Sequence, residues 1–139
     1  REGEHYADFK PPDYVKDAGQ VQKMNSEIII GKEAVAKLVT QDGKEFYMEE
    51  DVTQVILGRE KKVQKDYFQL KENNTISKQH AKIFWDEASK CFKIQNLSKN
   101  KIYVNYEQLQ NTDPPRELFN LSPILISKLK IFFLLPRDY

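Results

Sequence analysis

The feature that most constrains this chain is a succession of short apolar runs, each stopped by a turn signal. Val35, Lys37 and Val39 alternate with Ala36, Leu38 and Thr40, and the run ends at Asp42-Gly43. A period of two places alternate side chains on opposite faces, and Asp-Gly is a strong hairpin signal. Glu45 to Met48 reads as the returning arm. Val55-Ile56-Leu57 stops at Gly58, and Tyr67 to Leu70 is a further short strand. Ala81 to Trp85 and Cys91 to Ile94 flank the loop Asp86 to Lys90. Ile102 to Val104, Leu109, and Leu118 with Leu121 continue the series. Ile124 to Ile126 and Leu129 to Leu135 are separated by Ser127-Lys128 and closed by Pro136. Strong helical periodicity is absent throughout. The pattern predicts an all-β, two-sheet sandwich of about ten to eleven strands.

The first part of the chain reads differently. Pro11-Pro12 favours extended backbone, Val15 to Met24 has weak helical spacing, and Ile28-Ile29-Ile30 is a brief apolar run before Gly31. The expected organisation is an N-terminal extension over residues 1–33 and one domain over 34–139. The extension lies on the domain, makes a separate contact, or is a disordered leader. A chain of 139 residues suffices for one core without disulfides. Its single cysteine, Cys91, excludes an internal disulfide and fits a reducing compartment. The run Ile131 to Leu135 is too short to span a bilayer, and no signal peptide is visible. A first residue of Arg1 rather than Met reads as an excerpt or processed piece of a longer protein.

Charge is uneven. Between Arg59 and Lys101 there are eleven Lys or Arg and five Asp or Glu, a balance of +6 within a chain whose net charge is +1. The excess is either a set of solvated strand-edge lysines or a field for an anionic partner. It surrounds three polar loops. Gly58-Arg59 lies at a strand end, Ser77-Lys78-Gln79-His80 at a strand start, and Lys99-Asn100 in the loop after Ile94. If the strands alternate in direction, these loops share one end of the sandwich. Arg59 offers a planar fork of donors for phosphate or carboxylate. Ser77 offers a hydroxyl, Lys78 and Lys99 point charges, and Asn100 a donor and an acceptor for a peptide backbone. Each residue also has a plainer role. Arg59 can pair with Glu60 or Asp66, Ser77 can cap its loop, His80 can be a buried imidazole bonding loop backbone, and Asn100 and Asn105 can be turn formers.

In this order, Gly58-Arg59, Ser77-x-x-His80, Asn100 and Val104-Asn105 resemble the forkhead-associated (FHA) domain. Supporting stretches are Ala36-Lys37-Leu38, Ile56 to Arg59, Ile76 to Phe84, Lys99-Asn100 and Phe132 to Pro136. The finer match is to FHA domains of forkhead-type transcription factors and their fungal and plant relatives. The resemblance implies a phosphothreonine-binding module. It implies Arg59 and Ser77 on the phosphate, Lys78 and Lys99 beside it, and Asn100 on the peptide backbone. Gly58, His80 and Asn105 would be structural supports. Two departures stand out. The family's usual Asn-Gly is Asn100-Lys101 here, which is expected to twist that loop. The Gly-Asp often found before the last hairpin is replaced by Leu121-Ser122-Pro123.

The leading expectation is therefore a non-enzymatic, phosphothreonine-dependent interaction module of a nuclear transcription or chromatin protein. Nuclear localisation rests on the resemblance alone. The alternative is a constitutive scaffold subunit with an idle phosphate site, its other subunits held through the N-terminal extension. Direct nucleic-acid binding is disfavoured because no stacking aromatics sit beside the lysines and no reading helix is visible. Catalysis is disfavoured by the absence of a nucleophile elbow or phosphate-cradling glycine loop. With His5 and His80 as the only histidines and one cysteine, neither a metal nor a cofactor is expected.

Overall fold

The computed structural model describes residues 34–136. The expectations for the extension, including a short helix over Val15 to Met24 and a solvated His5, lie outside the described residues.

Eleven strands form, all but one of them where the sequence pattern placed them. These are β1 (Ala34–Thr40), β2 (Glu45–Glu49), β3 (Gln54–Gly58), β4 (Tyr67–Gln69), β5 (Ala81–Asp86), β6 (Cys91–Asn96), β7 (Ile102–Val104), β8 (Glu107–Leu109), β9 (Arg116–Glu117), β10 (Ser122–Ile126) and β11 (Leu129–Leu134). They make a six-stranded sheet in the order β2-β1-β11-β10-β7-β8 and a five-stranded sheet in the order β4-β3-β5-β6-β9. All pairings are antiparallel except β3 with β4. The inner faces pack through Leu38, Leu57, Ile83, Ile94, Ile131 and Phe133. Aromatic pairs bridge the layers. Phe92 of β6 meets Phe133 of β11 edge-on at 5.5 Å, and Phe46 of β2 stacks on Phe68 of β4 at 5.0 Å. Such pairs add about 0.5–1.5 kcal/mol each beyond their burial.

Turn chemistry fixes the register. Gly43 takes φ +97° in the β1–β2 turn, a conformation that glycine adopts without steric cost. Asn105 and Tyr106, both at positive φ, form the two-residue loop between β7 and β8, as hairpin turns of the I′ class require.

One strand differs from the sequence reading. The expected segment of Leu118 with Leu121 is replaced by β9, whose Arg116 and Glu117 pair with Ile94 and Lys93. Leu118 follows it into the core at 3% exposure, and Leu121 turns the chain with φ 70°. A left-handed residue cannot continue a strand, so the apolar spacing there marks core filling and a turn. Ser122 and Pro123 instead open β10. Pro123 O accepts the Asn105 N–H, so its own missing N–H faces the side where β7 has already ended.

The registers also decide which loops meet. Leu57 is opposite Ala81, and Ala81 is opposite Asn96. The end of β3, the start of β5 and the end of β6 therefore share one edge of the five-stranded sheet. In the other sheet β7 begins there, and Leu125 opposite Tyr103 brings in the Ser127-Lys128 turn.

Candidate functional site

Gly58 closes β3 and has no room for a side chain. A Cβ there would lie 1.8 Å from Lys78 O and 2.4 Å from the Tyr67 hydroxyl. Its φ is not in the left-handed region, so the requirement is space rather than backbone freedom. The backbone of the Ser-Lys-Gln-His loop thus lies directly against the end of β3. Tyr67 fastens the contact: its hydroxyl donates to Lys78 O at 2.6 Å and accepts the Glu60 N–H at 2.8 Å. Burial pushes the Tyr67 phenol up, so it keeps the proton it donates.

This contact positions Arg59. Its N–H donates to Ser77 O at 3.2 Å, and its guanidinium donates through Nη1 to Ile76 O at 3.0 Å. Glu60 pairs with Lys62 at 3.2 Å, which leaves the guanidinium on the loop backbone. One bond on Nη1 holds the half-buried side chain beside Ser77 while most of its five donors remain for another partner.

His80 is fully buried. Its Nδ1 accepts the Ser77 N–H at 2.9 Å, its N–H donates to Leu57 O, and its carbonyl accepts the Leu97 N–H. The imidazole therefore holds the Ser77 loop, and the His80 backbone ties that loop to β3 and to the loop after β6. An Nδ1 that accepts a backbone N–H places the neutral ring's proton on Nε2. Burial pushes its pKa below the ordinary 6.5. The charged form is thus disfavoured in the fold and free in the unfolded chain. The contribution of His80 to stability is complete above pH 6.5 and is lost progressively as pH falls below it. Chemical denaturation between pH 7.5 and 5.5 should show this decline. In His80→Asn the decline should be shallower, from a lower starting stability; equal slopes would exclude the assignment.

The third loop joins through Ser98. Ser77 Oγ and Ser98 Oγ are 2.9 Å apart, and Ser98 Oγ accepts the Asn100 N–H at 3.1 Å. If the Ser98 hydroxyl donates to Ser77, the Ser77 proton is available to an anion. Asn96, buried at the end of β6, shapes this loop. Its Oδ1 accepts the Ser98 N–H, and its Nδ2 donates to the carbonyls of Asn100 and Leu109, all at 2.9 Å. The Asn100 amide donates to Thr75 O at 3.4 Å, and the Thr75 hydroxyl meets that of Ser127. The three loops are thereby linked through Arg59, Ile76, Ser77, Ser98, Asn100 and Thr75. Lys78 and Lys99 are exposed on its rim.

Two residues behave differently from the sequence reading. Lys101 is not among the residues with positive φ, so the loop accommodates Asn100-Lys101 without the twist expected from losing glycine. Asn105 is at the far end of β7, where its side chain donates to Glu117 O at 3.2 Å and its N–H to Pro123 O. It braces the β7–β8 turn rather than the three polar loops. Ser98, Asn96, Tyr67 and Thr75 are site-building residues that the sequence did not single out. Only Ser98, one position before Lys99, had a local signal.

The charge around these loops is selective. Beside them, a hollow of about 450 Å³ is lined by Thr40, Asp42, Lys44, Lys61, Gln69 and Lys71, among others. Its cations are engaged: Lys71 with Asp42, Lys61 with Glu72, and Lys44 with Gln69 O. Among the described residues no carboxylate pairs with Lys78, Lys99, Lys101 or Lys128. Four unpaired ammonium groups therefore lie in the loops at this one end of the molecule. No three His, Cys, Asp or Glu side chains among the described residues gather to hold a metal ion. No helix there is long and apolar enough to cross a membrane.

A sandwich with no helix among the described residues and a polar ring on its loops is, in class, a β-sandwich with a loop-built recognition end. Comparison with known proteins makes the class specific. Residues 55–127 match the family model of the FHA domain. The chain is 34% identical over 104 residues to Transcriptional activator FHA1 of Nicotiana tabacum, covering 73% of this chain and 48% of the tobacco protein. It thus spans about half the length of that curated relative. Among solved structures it is similar to the N-terminal FHA domain of S. cerevisiae Rad53p in complex with a phosphothreonine peptide. There the TM-score is 0.62 at 15% identity, over 75% of this chain and 95% of that one. It is also similar to the MEK1 FHA domain in complex with a HOP1 phosphothreonine peptide, with a TM-score of 0.57 at 24% identity, over 73% of this chain and 97% of that one. At these identities the structural likeness is one of fold. The chain belongs to the FHA domain family.

Proposed function

We propose that the polar ring binds phosphothreonine in a partner protein and that the domain is a non-enzymatic recruitment module. Arg59 and Ser77 contact the phosphate, Lys78 and Lys99 add charge beside it, and Asn100 holds the backbone of the bound peptide. The observation that carries this reading is the bonded circuit from Arg59 through Ser77 and Ser98 to Asn100. It presents a forked cation, a hydroxyl and an amide together, with no carboxylate among them. His80 is spent on the Ser77 N–H and is therefore unavailable as the base that nucleophilic chemistry at Ser77 would need. The phosphothreonine complexes of the two structural neighbours support the same ligand. The tobacco relative, a transcriptional activator by name, supports a nuclear transcription or chromatin setting.

The test is a binding titration with one peptide sequence carrying phosphothreonine, phosphoserine or threonine. The phosphothreonine form should bind and the unmodified form should not; equal binding of the two would refute the proposal. A constitutive scaffold with an idle site would bind none of the three.

The unpaired lysines add a second expectation. Lys101→Glu should weaken phosphopeptide binding about five- to tenfold at low salt, and the difference should shrink as salt shortens the Debye length from about 10 Å at 0.1 M. A defect that does not respond to salt would place Lys101 in a direct contact instead.

A further inference from the structure

Of the four ammonium groups without a carboxylate at the loop end, the phosphothreonine reading uses two, Lys78 and Lys99. Lys101 and Lys128 remain. They come from different strands but meet at one seam of the six-stranded sheet. β7 and β10 are antiparallel, with Ile124 opposite Val104 and Leu125 opposite Tyr103. Carried past the strand ends, that register sets Ser127 beside Lys101 and Lys128 beside Asn100. Side-chain bonds fix the same seam independently. The Asn100 amide donates to Thr75 O at 3.4 Å, and the Thr75 hydroxyl meets the Ser127 hydroxyl. Lys128 emerges from a two-residue turn between the paired Ile126 and Leu129, with Ser127 at φ 58°. So short a turn leaves the backbone under Lys128 little freedom. Both lysines are exposed. Carboxylates around this end are engaged elsewhere: Asp42 with Lys71 and the Thr40 hydroxyl, Glu72 with Lys61, and Asp113 with the Gln110 N–H. Like charges on adjacent strands repel. The uncompensated pair therefore costs the free domain a little and favours an anion between them.

We propose that Lys101 and Lys128 form a second anion subsite, which takes an acidic side chain, Asp or Glu, of the same peptide whose phosphothreonine lies at Arg59 and Ser77. The inference rests on the phosphothreonine reading and adds the kind of partner, a phosphothreonine with an acidic flank. Asn100 is the pivot. It holds the peptide backbone beside the phosphothreonine, and Lys101 follows it in the chain while Lys128 lies across the seam. Neighbouring strands lie about 4.8 Å apart, and extended peptide advances about 3.3 Å per residue. The acidic side chain therefore falls about two to four residues from the phosphothreonine, on the flank that runs over Asn100. The seam offers ammonium, hydroxyl and amide groups, and its donors suit a carboxylate. Lys101 stands where the family pattern usually has glycine, so the subsite belongs to this chain rather than to the shared phosphate site. The attraction works across water between exposed groups, which makes it modest and sensitive to salt.

The test titrates the full chain, at low salt, with one phosphothreonine sequence whose flanking positions carry glutamates before the phosphothreonine, glutamates after it, or alanines on both sides. In the parent one acidic flank should raise affinity about three- to tenfold over the alanine peptide, and the other should not. The gain should fade in 1 M salt, where the Debye length is about 3 Å. In Lys101→Ala with Lys128→Ala it should vanish. Taking the ratio of acidic to alanine peptide cancels any effect of the two lysines on the phosphate itself. In Lys101→Glu with Lys128→Glu the preference should reverse towards a lysine flank. Both variants should keep Tm within about 4 °C of the parent, since the side chains are exposed. Equal gains from both flanks would assign the effect to the general field of the basic end and overturn the proposal, as would a gain that survives in the alanine variant. A phosphoserine flank that strengthens binding where the glutamate flank does not would assign the subsite to a second phosphate and overturn it too. A parent that binds the alanine-flanked phosphopeptide and gains nothing from either acidic flank would overturn this proposal alone. A parent that does not distinguish phosphothreonine from threonine would overturn the phosphothreonine reading and this proposal with it.

Discussion

Arg59→Ala is expected to lower the affinity for a phosphothreonine peptide by about 100-fold or more while leaving the domain folded. Charge-assisted hydrogen bonds contribute about 1.5–3 kcal/mol each, and a guanidinium fork on a phosphate makes two. Losing both removes about 3 kcal/mol or more, and each 1.4 kcal/mol is about tenfold in affinity. The structural cost is small by comparison. Within the fold Arg59 donates one side-chain bond, to Ile76 O at 3.0 Å, at a half-buried position. A neutral bond of this kind is worth about 1 kcal/mol. Binding and stability should therefore separate, with affinity largely gone and Tm only slightly lowered. Arg59→Lys should fall between the two, because an ammonium keeps the charge without the fork. A variant Arg59→Ala that binds as tightly as the parent would show that the phosphate sits elsewhere.

Gly58→Val is expected to damage fold and site together. Even alanine there would place a Cβ 1.8 Å from Lys78 O and 2.6 Å from Lys78 C, which are backbone atoms and cannot swing aside. The loop would have to move away by more than 1 Å, a distance of the order of the overlap itself. That shift breaks the Tyr67 bond to Lys78 O and the Arg59 N–H bond to Ser77 O. Overpacking costs about 1–3 kcal/mol, and the lost bonds add to it, so a loss of about 3 kcal/mol or more is expected. The variant should melt well below the parent and bind no phosphopeptide at temperatures where it is still folded. A variant that keeps the parent's Tm would mean that the loop does not rest on the end of β3 in solution.

The strands were legible because alternation and turn residues state the same thing twice. Ala34 to Thr40 alternates and then stops at Asp42-Gly43, and the hairpin of β1 with β2 follows. The reading failed at Leu118 and Leu121, where two leucines at strand-like spacing serve a buried position and a left-handed turn. Spacing does not distinguish those roles. The loops carrying Arg59, Ser77 and Asn100 could be placed at one end from strand order alone. What joins them could not. Ser77 to Ser98 spans 21 positions and Asn100 to Thr75 spans 25, and no local pattern announces hydrogen bonds across such separations. Tyr67 is similar: its ring reads as strand core, and its hydroxyl turns out to tie two loops together. The alternation did place Lys37 and Val39 on one face.

The most direct test of the phosphothreonine site is a chemical-shift titration of the labelled chain with a phosphothreonine peptide and its unmodified twin. The expected result is a set of shifts confined to Arg59, Ser77 and Lys78, and the Ser98 to Lys101 loop, saturating with the phosphorylated peptide and absent with the other. Shifts that appear equally with both peptides, or that centre on the Asn105 turn at the opposite end of β7, would contradict it.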